Sequence, residues 1–440
     1  MATTEAATPV IVTFREIERV LKGTEAVGNL TEAANRDALA SPLEKATVMA
    51  AIGNVLNELR QAEAKEGGAL VLTSPHHAAA CRLQSLIASG DYGKLKLSPL
   101  PSGGLEAQFD THDWFGWASV AWSVLKHIVP HPMQIPKTAV AEPFADTARI
   151  GLLGDWGSGL YGAPVIAEAV RNDPDDFALL LHLGDVYYSG TEQEVKQRFI
   201  DLWPKRPGAV NRALNSNHEM YSGAEAYFRE TLPAFGQEAS YFAFQNKHWT
   251  LVGLDVAYRD HDIDDEQVSW LTQILDKAGD RKVILFSHHQ LYSHLSAQGT
   301  RLMEHSRFGP ILASKRIFAW YWGHEHHCTI FEEPDKDYGV LGRCIGHGGM
   351  PQTRAPTFAL KPARGAMYER ADWRASPACT KAGHDLPNAV VLEGPNPYIV
   401  TEEEKFTPHG YAVLLLDGRV LKEEVRDPTG RVIYDRVIAD

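Results

Sequence analysis

Four apolar runs in this chain stop at residue types that can ligate a metal ion. ARIGLLGD ends at Asp155, and FALLLHLGD ends at Asp185 with Tyr188 three residues on. RKVILFSHH ends at His288 and His289, and IFAWYWGHEHH ends at His324, His326 and His327. Between the second and third runs lies Asn217-His218-Glu219. Carboxylate, imidazole and amide oxygen together suit a hard or borderline divalent or trivalent ion rather than a thiolate-seeking one. Glycine precedes Asp155, Asp185 and His324, and a backbone without Cβ can turn sharply enough to present the next side chain. In Gly-His-x-His, alternate residues of an extended chain share a face, so His324 and His326 can point at one site. Each piece alone has an ordinary structural reading, since a Gly-Asp after a strand is usually a turn. The ordered set points to one convergent site.

Convergence requires that the runs be neighbouring strands. From about residue 147, short buried runs alternate with polar helical stretches, which reads as an α/β layered fold. In such sheets ligands lie in the crevice at the carboxyl ends of the strands, where these side chains fall. YFAFQN and HWTLVGLD sit close together like a hairpin, and the tail reads as strands joined by Asp-Gly and Pro-Thr-Gly turns. Residues up to about 130 read as helical. Residues 43–65 carry Val48, Ile52, Val55, Leu56 and Leu59 at helical spacing, after Ser41-Pro42 and before Gly67-Gly68. Second and third helical stretches are expected at 76–89 and 114–128. Pro130, Pro132, Pro136 and Pro143 mark an extended linker. The expected division is a helical N-terminal region with a Pro-rich linker over 1–145, and a catalytic domain over 146–440.

Lys+Arg 43 against Asp+Glu 56 gives a net charge of -13. That balance argues against a protein that tracks a nucleic-acid backbone. A phosphorylated substrate remains compatible, because bound cations reverse the local field. Cys81, Cys328, Cys344 and Cys379 are scattered and form no disulfide scaffold; a single bridge such as Cys344 to Cys379 is left open. No uncharged apolar stretch approaches the ~20 residues of a membrane-spanning helix, and the first residues lack a basic leader region. The expected location is the cytoplasm, with no membrane partner.

Asp155-Trp156-Gly157, Gly184-Asp185-x-x-Tyr188, Asn217-His218-Glu219, His288 and Gly323-His324-x-His326, taken in order, resemble the calcineurin-like metallophosphoesterases. Asp-Trp-Gly and the Tyr188 position resemble the purple acid phosphatase branch in particular. The resemblance covers roughly residues 147–350. It implies an α/β fold built as a β-sandwich of two mixed sheets flanked by helices, with the N-terminal helical region outside it. It implies one metal held by Asp155, Tyr188 and His326, a second held by Asn217, His288 and His324, and Asp185 bridging both. Tyr188 implies iron(III) at the first site, with zinc, manganese or iron(II) at the second. The implied reaction is attack of a metal-activated hydroxide on a small phosphorylated substrate, with His218 assisting the leaving group and Glu219 orienting His218. A phosphomonoesterase is the leading expectation. A phosphodiesterase or pyrophosphate-cleaving enzyme, a nuclease and a non-catalytic scaffold are the alternatives.

Three positions depart from the family pattern. Ser216 stands where glycine is usual. Gln290 stands where proline is common, which raises the choice between His288 and His289 as ligand; spacing favours His288. His347 stands at a usually small position of a glycine-rich loop. His289, His347 and Tyr292 are candidate substrate contacts, with His294 near them. His182 reads as a core histidine, and Trp156 as packing under the first metal loop.

Overall fold

The computed structural model describes residues 129–399 and 403–440, with short stretches at 10–11, 78, 81–82, 85, 96–99 and 105–108. The helices expected at 43–65 and 114–128 lie outside the described residues. Within 76–89, Ala78, Cys81, Arg82 and Ser85 are helical. The N-terminal region is not all helix. β1 (Val10–Ile11), β3 (Leu105–Gln108) and β2 (Lys96–Pro99) form a small sheet in that order.

Two large mixed sheets carry the rest. The six-stranded sheet runs β21 (Val432–Ala439), β20 (Val420–Arg426), β19 (Tyr411–Asp417), β5 (Thr147–Leu153), β6 (Leu179–His182) and β7 (Val210–Ala213). The ten-stranded sheet runs β14 (Lys361–Pro362), β15 (Asp372–Ser376), β18 (Ala389–Glu393), β12 (Cys328–Phe331), β13 (Leu341–Ile345), β11 (Ile317–Trp322), β10 (Lys282–Ser287), β9 (Trp249–Gly253), β8 (Phe242–Gln245) and β4 (Glu142–Pro143). A separate hairpin pairs β16 (Cys379–Lys381) with β17 (His384–Leu386). The strands that carry the candidate ligands run parallel to one another within each sheet: β5, β6 and β7 in one, and β9, β10 and β11 in the other.

Side-chain alternation decides the layering. Leu179, Leu181, Ile284, Phe286, Ala319 and Tyr321 point into one core between the two sheets. Their neighbours Val283, Leu285, Trp320 and Trp322 point to the other face of the ten-stranded sheet, where the helix Asp265–Ala278 packs with Val268, Leu271, Ile274 and Ala278. Asp264 caps that helix by accepting the N–H groups of Glu266 and Gln267. Leu180 faces outward from the six-stranded sheet onto the helix Gly162–Asn172. A buried ion pair ties the sheets together. The Arg343 guanidinium of β13 grips both Glu423 oxygens of β20, which also accept the Tyr321 and Tyr434 hydroxyls.

The proline-rich segment is extended, and it is bonded to the domain beside it. Gln134 accepts from Ser240, Thr138 from the Trp270 indole and Ala139 from Lys277. β4 then pairs with β8, and Glu142 takes the Arg212 guanidinium at 2.7 and 2.9 Å. All four cysteines are free, so the Cys344–Cys379 bridge is not formed. Cys344 lies buried in the β13 ladder, and Cys379 is exposed on the separate hairpin. Among the described residues no helix is long and apolar enough to cross a membrane.

Candidate metal centre

The carboxyl ends of β5, β6, β7, β10 and β11 meet at one place. Asp155, Asp185 and His326 form one group of potential ligands, and Asp185, His288 and His324 form another, with the donor atoms of each group within 4.8 Å of one another. Asp185 belongs to both. In the second group His288 Nε2 lies 3.2 Å from Asp185 Oδ1, 3.2 Å from His324 Nδ1 and 2.9 Å from Asn217 Oδ1. In the first, His326 Nε2 lies 3.5 Å from Asp185 Oδ2 and 3.6 Å from Asp155 Oδ1.

The orientation of each donor has a visible cause. His288 Nδ1 donates to the Leu183 carbonyl at 2.8 Å, so its Nε2 lone pair faces the cluster. The Asn217 amide donates to the Tyr221 hydroxyl at 2.9 Å, which turns its oxygen toward His288. The Asp155 carboxylate accepts the His324 backbone N–H at 2.9 Å, linking the first and last motifs. Ser216, the departure from glycine, has φ -135 and accepts the His218 N–H as the N-cap of the helix Asn217–Tyr221. A side chain is therefore tolerated there and useful.

The backbone strain sits on the ligands themselves. Asp155 (φ 52), Asp185 (φ 78), His324 (φ 69) and His326 (φ 54) all occupy the left-handed region. That region costs an ordinary residue about 1–2 kcal/mol, with Asp and His among the more tolerant types. Such outliers cluster where surrounding structure over-determines the chain for function. Gly154 and Gly323, expected to make the turns, serve close approach instead. A Cβ on Gly154 would collide with the Ile345 carbonyl, and one on Gly323 would lie 2.6 Å from Asp155 Oδ2.

Electrostatics support cations here. Burial, reinforced by Asp185, holds the Asp155 carboxyl well above the usual range. Burial also pushes Asp185 upward, but the facing imidazoles of His288, His218 and His326 outweigh it and hold its carboxyl well below. Burial lowers His288 to about 4. Asp155 Oδ2 is buried with no hydrogen-bond partner among the described residues. Buried carboxylates are paired or coordinate metals, and the donor set of carboxylate, imidazole and amide oxygen fits a pair of divalent or trivalent ions.

Not every predicted residue reaches the cluster in the expected way. The aromatic hydroxyl that the structure sets on the first group belongs to Tyr187, at 2.7 Å from His326 Nε2 and 3.2 Å from Asp185 Oδ2. The Tyr188 ring packs beneath the Arg198 guanidinium at 5.4 Å, and its backbone N–H goes to Glu194. His218 stacks on Tyr187 at 3.8 Å, and its Nδ1 donates to the Tyr188 carbonyl at 2.7 Å. That carbonyl, rather than Glu219, is the group seen orienting the imidazole. The Glu219 carboxyl instead pairs with the Ser216 hydroxyl, and burial raises it to about 8 with Asp185 adding to the effect.

The substrate candidates divide. His289 lies beside the centre, with its ring centroid 3.7 Å from His261 and 4.5 Å from His324. Tyr292 is core: its hydroxyl donates to the Val340 carbonyl, and its ring packs on Trp322 and Phe331. His347 is fully buried against Gly410 and His409 rather than in the cleft. His294 pairs with Ser376, His182 packs between Phe199 and Trp203, and Trp156 stacks near the same two rings.

Sequence reasoning missed three contributors. His261 joins His289 and His324 in a third group of potential ligands, from a loop with no motif to mark it. Asp255 ends the run WTLVGLD in the same manner as the other ligand strands, and it holds the Asn215 amide at 3.2 Å. Glu194 fastens the loop after Asp185 by accepting the N–H groups of Tyr188, Ser189 and Thr191, and Ser85 of the N-terminal region joins it at 3.1 Å. A fourth group, Glu325, His327 and Cys344, is better explained as a latch. The Glu325 carboxylate is taken by Ser293, Ser296 and the Trp322 indole.

The family model for calcineurin-like phosphoesterases matches residues 148–328. Comparison with curated protein sequences returned no match. Solved structures similar to the chain include a purple acid phosphatase from yellow lupin (Lupinus luteus) seeds, at 14% identity and TM-score 0.47, covering 69% of this chain and 55% of that one. They also include PhoD, at 10% identity and TM-score 0.39, covering 69% and 70%. A third is an uncharacterised protein from Streptococcus pneumoniae described as a predicted phosphoesterase, at 8% identity and TM-score 0.27, covering 68% and 99%. The match thus spans little more than half of the lupin protein. Residues 148–328, which hold the ordered motifs, are thus the part of this chain that is similar to the calcineurin-like phosphoesterases.

Proposed function

We propose that this chain is a binuclear metal-dependent phosphomonoesterase. The observation that carries the reading is the pair of ligand groups that share the buried Asp185. Asp155, Asp185 and His326 would hold one ion, with Tyr187 rather than Tyr188 as the aromatic neighbour. Asp185, Asn217, His288 and His324 would hold the other. Two bound cations would neutralise phosphate oxygens and lower the pKa of water.

The chain's own residues define the remaining steps. Asp185, which belongs to both ligand groups, would be shared between the two ions. The Tyr188 carbonyl holds the His218 imidazole in place, with the neutral ring's proton on Nδ1. The other nitrogen, Nε2, is then the atom that would exchange a proton with the departing alcohol. Tyr187 walls off one side of that ring. A phosphodiesterase or pyrophosphate-cleaving activity is the second reading within the same chemistry.

Metal analysis and hydrolysis of p-nitrophenyl phosphate test the proposal together. About two metal ions per chain are expected, with both metal content and turnover lost in Asp185→Asn. A protein that binds no metal, or that hydrolyses diesters and leaves monoesters untouched, would overturn it.

A further inference from the structure

We propose that His261, His289 and His324 hold a further divalent ion, zinc by preference, beside the two of the binuclear centre. The donor nitrogens of these three side chains lie within 4.8 Å of one another. The set differs in kind from its neighbours, because it contains no carboxylate or amide oxygen. Imidazole suits zinc, copper or nickel better than magnesium, calcium or manganese. Three histidines with an open fourth position form a recognised arrangement for zinc. His324 is common to this group and to the second ligand group, so the two sites adjoin.

A different segment presents each histidine. His289 and His324 follow β10 and β11, and His261 comes from the loop after β9. That loop is built around fixed contacts. Asp255, buried at its root, accepts the N–H groups of Ala257 and Tyr258. Asp260 and His261 then take φ 53 and φ 65, the left-handed region that Asp155, Asp185, His324 and His326 also occupy. One Asp260 carboxylate oxygen accepts from His261 Nδ1 at 3.0 Å, and the other accepts from the Arg301 guanidinium at 3.2 Å. The first contact places the neutral ring's proton on Nδ1 and its lone pair on Nε2. Metal-binding histidines are commonly prepared by a carboxylate in this way.

The His261 and His289 ring centroids are 3.7 Å apart. Two imidazoles that share one ion at about 2.0–2.1 Å from each nitrogen stand farther apart than this, so loading must part the rings. His289 is buried, whereas the His261 side chain is 40% exposed and has room to turn. An entry path lies on the same side. His261 and His324 both line a cavity of about 230 Å³, from which water or a substrate oxygen can take the open position. Two cations nearby repel a third, and the Asp260 carboxylate acts only through the His261 ring. The ion on the three histidines is therefore the weakest of the three and the first to leave on chelation.

The test loads metal-stripped protein with zinc chloride, counts zinc per chain after equilibrium dialysis, and follows the same titration by calorimetry. The wild type is expected to take up three ions and His261→Ala two, with the last-binding ion missing. Asp260→Asn is expected to weaken that ion alone by about tenfold or more, the usual loss when a ligand's carboxylate partner is removed. Circular dichroism melting shows whether each variant folds, and Asp260→Asn carries the test if His261→Ala does not. Asp185→Asn is expected to lose the binuclear pair and keep the ion on the three histidines. Wild type, His261→Ala and Asp260→Asn that bind zinc in equal number and with equal affinity overturn the inference. Full zinc content in Asp185→Asn, with one ion still lost in His261→Ala, overturns the binuclear reading and leaves the inference standing.

Discussion

Replacing Tyr187 by phenylalanine, beside the same change at Tyr188, separates the register implied by family resemblance from the one the fold adopts. The Tyr187 hydroxyl contacts His326 Nε2 at 2.7 Å and Asp185 Oδ2 at 3.2 Å in a fully buried position. Removing a buried hydrogen bond to a charged group costs about 1.5–3 kcal/mol. At 1.4 kcal/mol per decade, that is roughly a ten- to hundredfold loss of affinity for an ion held by Asp155, Asp185 and His326. Tyr188→Phe keeps the ring that packs under Arg198 and the backbone groups used by Glu194 and His218. Its effect on the same affinity should stay within about threefold, less than the loss of one typical hydrogen bond. The assay is calorimetric titration of metal-stripped protein with Mn²⁺ or Zn²⁺, with melting curves to show that both variants fold. If the protein is purified with iron, any visible charge-transfer band should vanish in Tyr187→Phe and persist in Tyr188→Phe. Metal binding that weakens in Tyr188→Phe and survives in Tyr187→Phe would refute the assignment.

Glu423→Ala strands the Arg343 guanidinium between the sheets and should cost about 3–5 kcal/mol in urea unfolding, while Arg343→Met with Glu423→Leu should recover most of it; a single variant as stable as wild type contradicts this. His182, His347 and His409 are buried, and burial lowers them to about 3, 3 and 4. The unfolded chain binds protons on them below about pH 6.5, so their contribution is present above that value and is lost as pH falls toward 4. Glu219, raised to about 8, acts in the opposite sense, so Glu219→Gln should steepen the decline in metal-free protein; urea midpoints that do not fall between pH 7 and pH 5 would count against this account. A chain beginning at residue 129 should be more stable than one beginning at residue 146, because the latter loses β4 and the Glu142 partner of Arg212. Equal melting temperatures would show that the strap is accessory.

Much of the fold was legible because its signals are local. Apolar runs bounded by polar helical stretches mark buried strands, and the Asp-Gly and Pro-Thr-Gly turns place β19, β20 and β21 in the tail. The sandwich of two mixed sheets agrees with the expected class. The linker was read from its prolines as extended, but its pairing with β8 was not legible. That pairing depends on a strand a hundred residues away that offers an open edge. The small N-terminal sheet was missed for a related reason. Two- and four-residue strands carry too little periodicity to stand out from a helical background.

The site divides along the same line. The sequence by itself determined which residue types stand at the strand ends. Asp155, Asp185, Asn217, His288, His324 and His326 could be named because parallel strands deliver their carboxyl ends to one edge. Only the tertiary structure decided how each side chain is aimed. Tyr187 and Tyr188 are adjacent and chemically identical, and the choice between them is made by Glu194, Arg198 and His218 closing around the loop. His347 and Tyr292 read as cleft residues until packing buried them, and His261 became part of the site only when its loop came to rest against His289. Residue type and order are properties of the chain, whereas direction is set by contacts between segments far apart in sequence, and those exist only once the two sheets have packed.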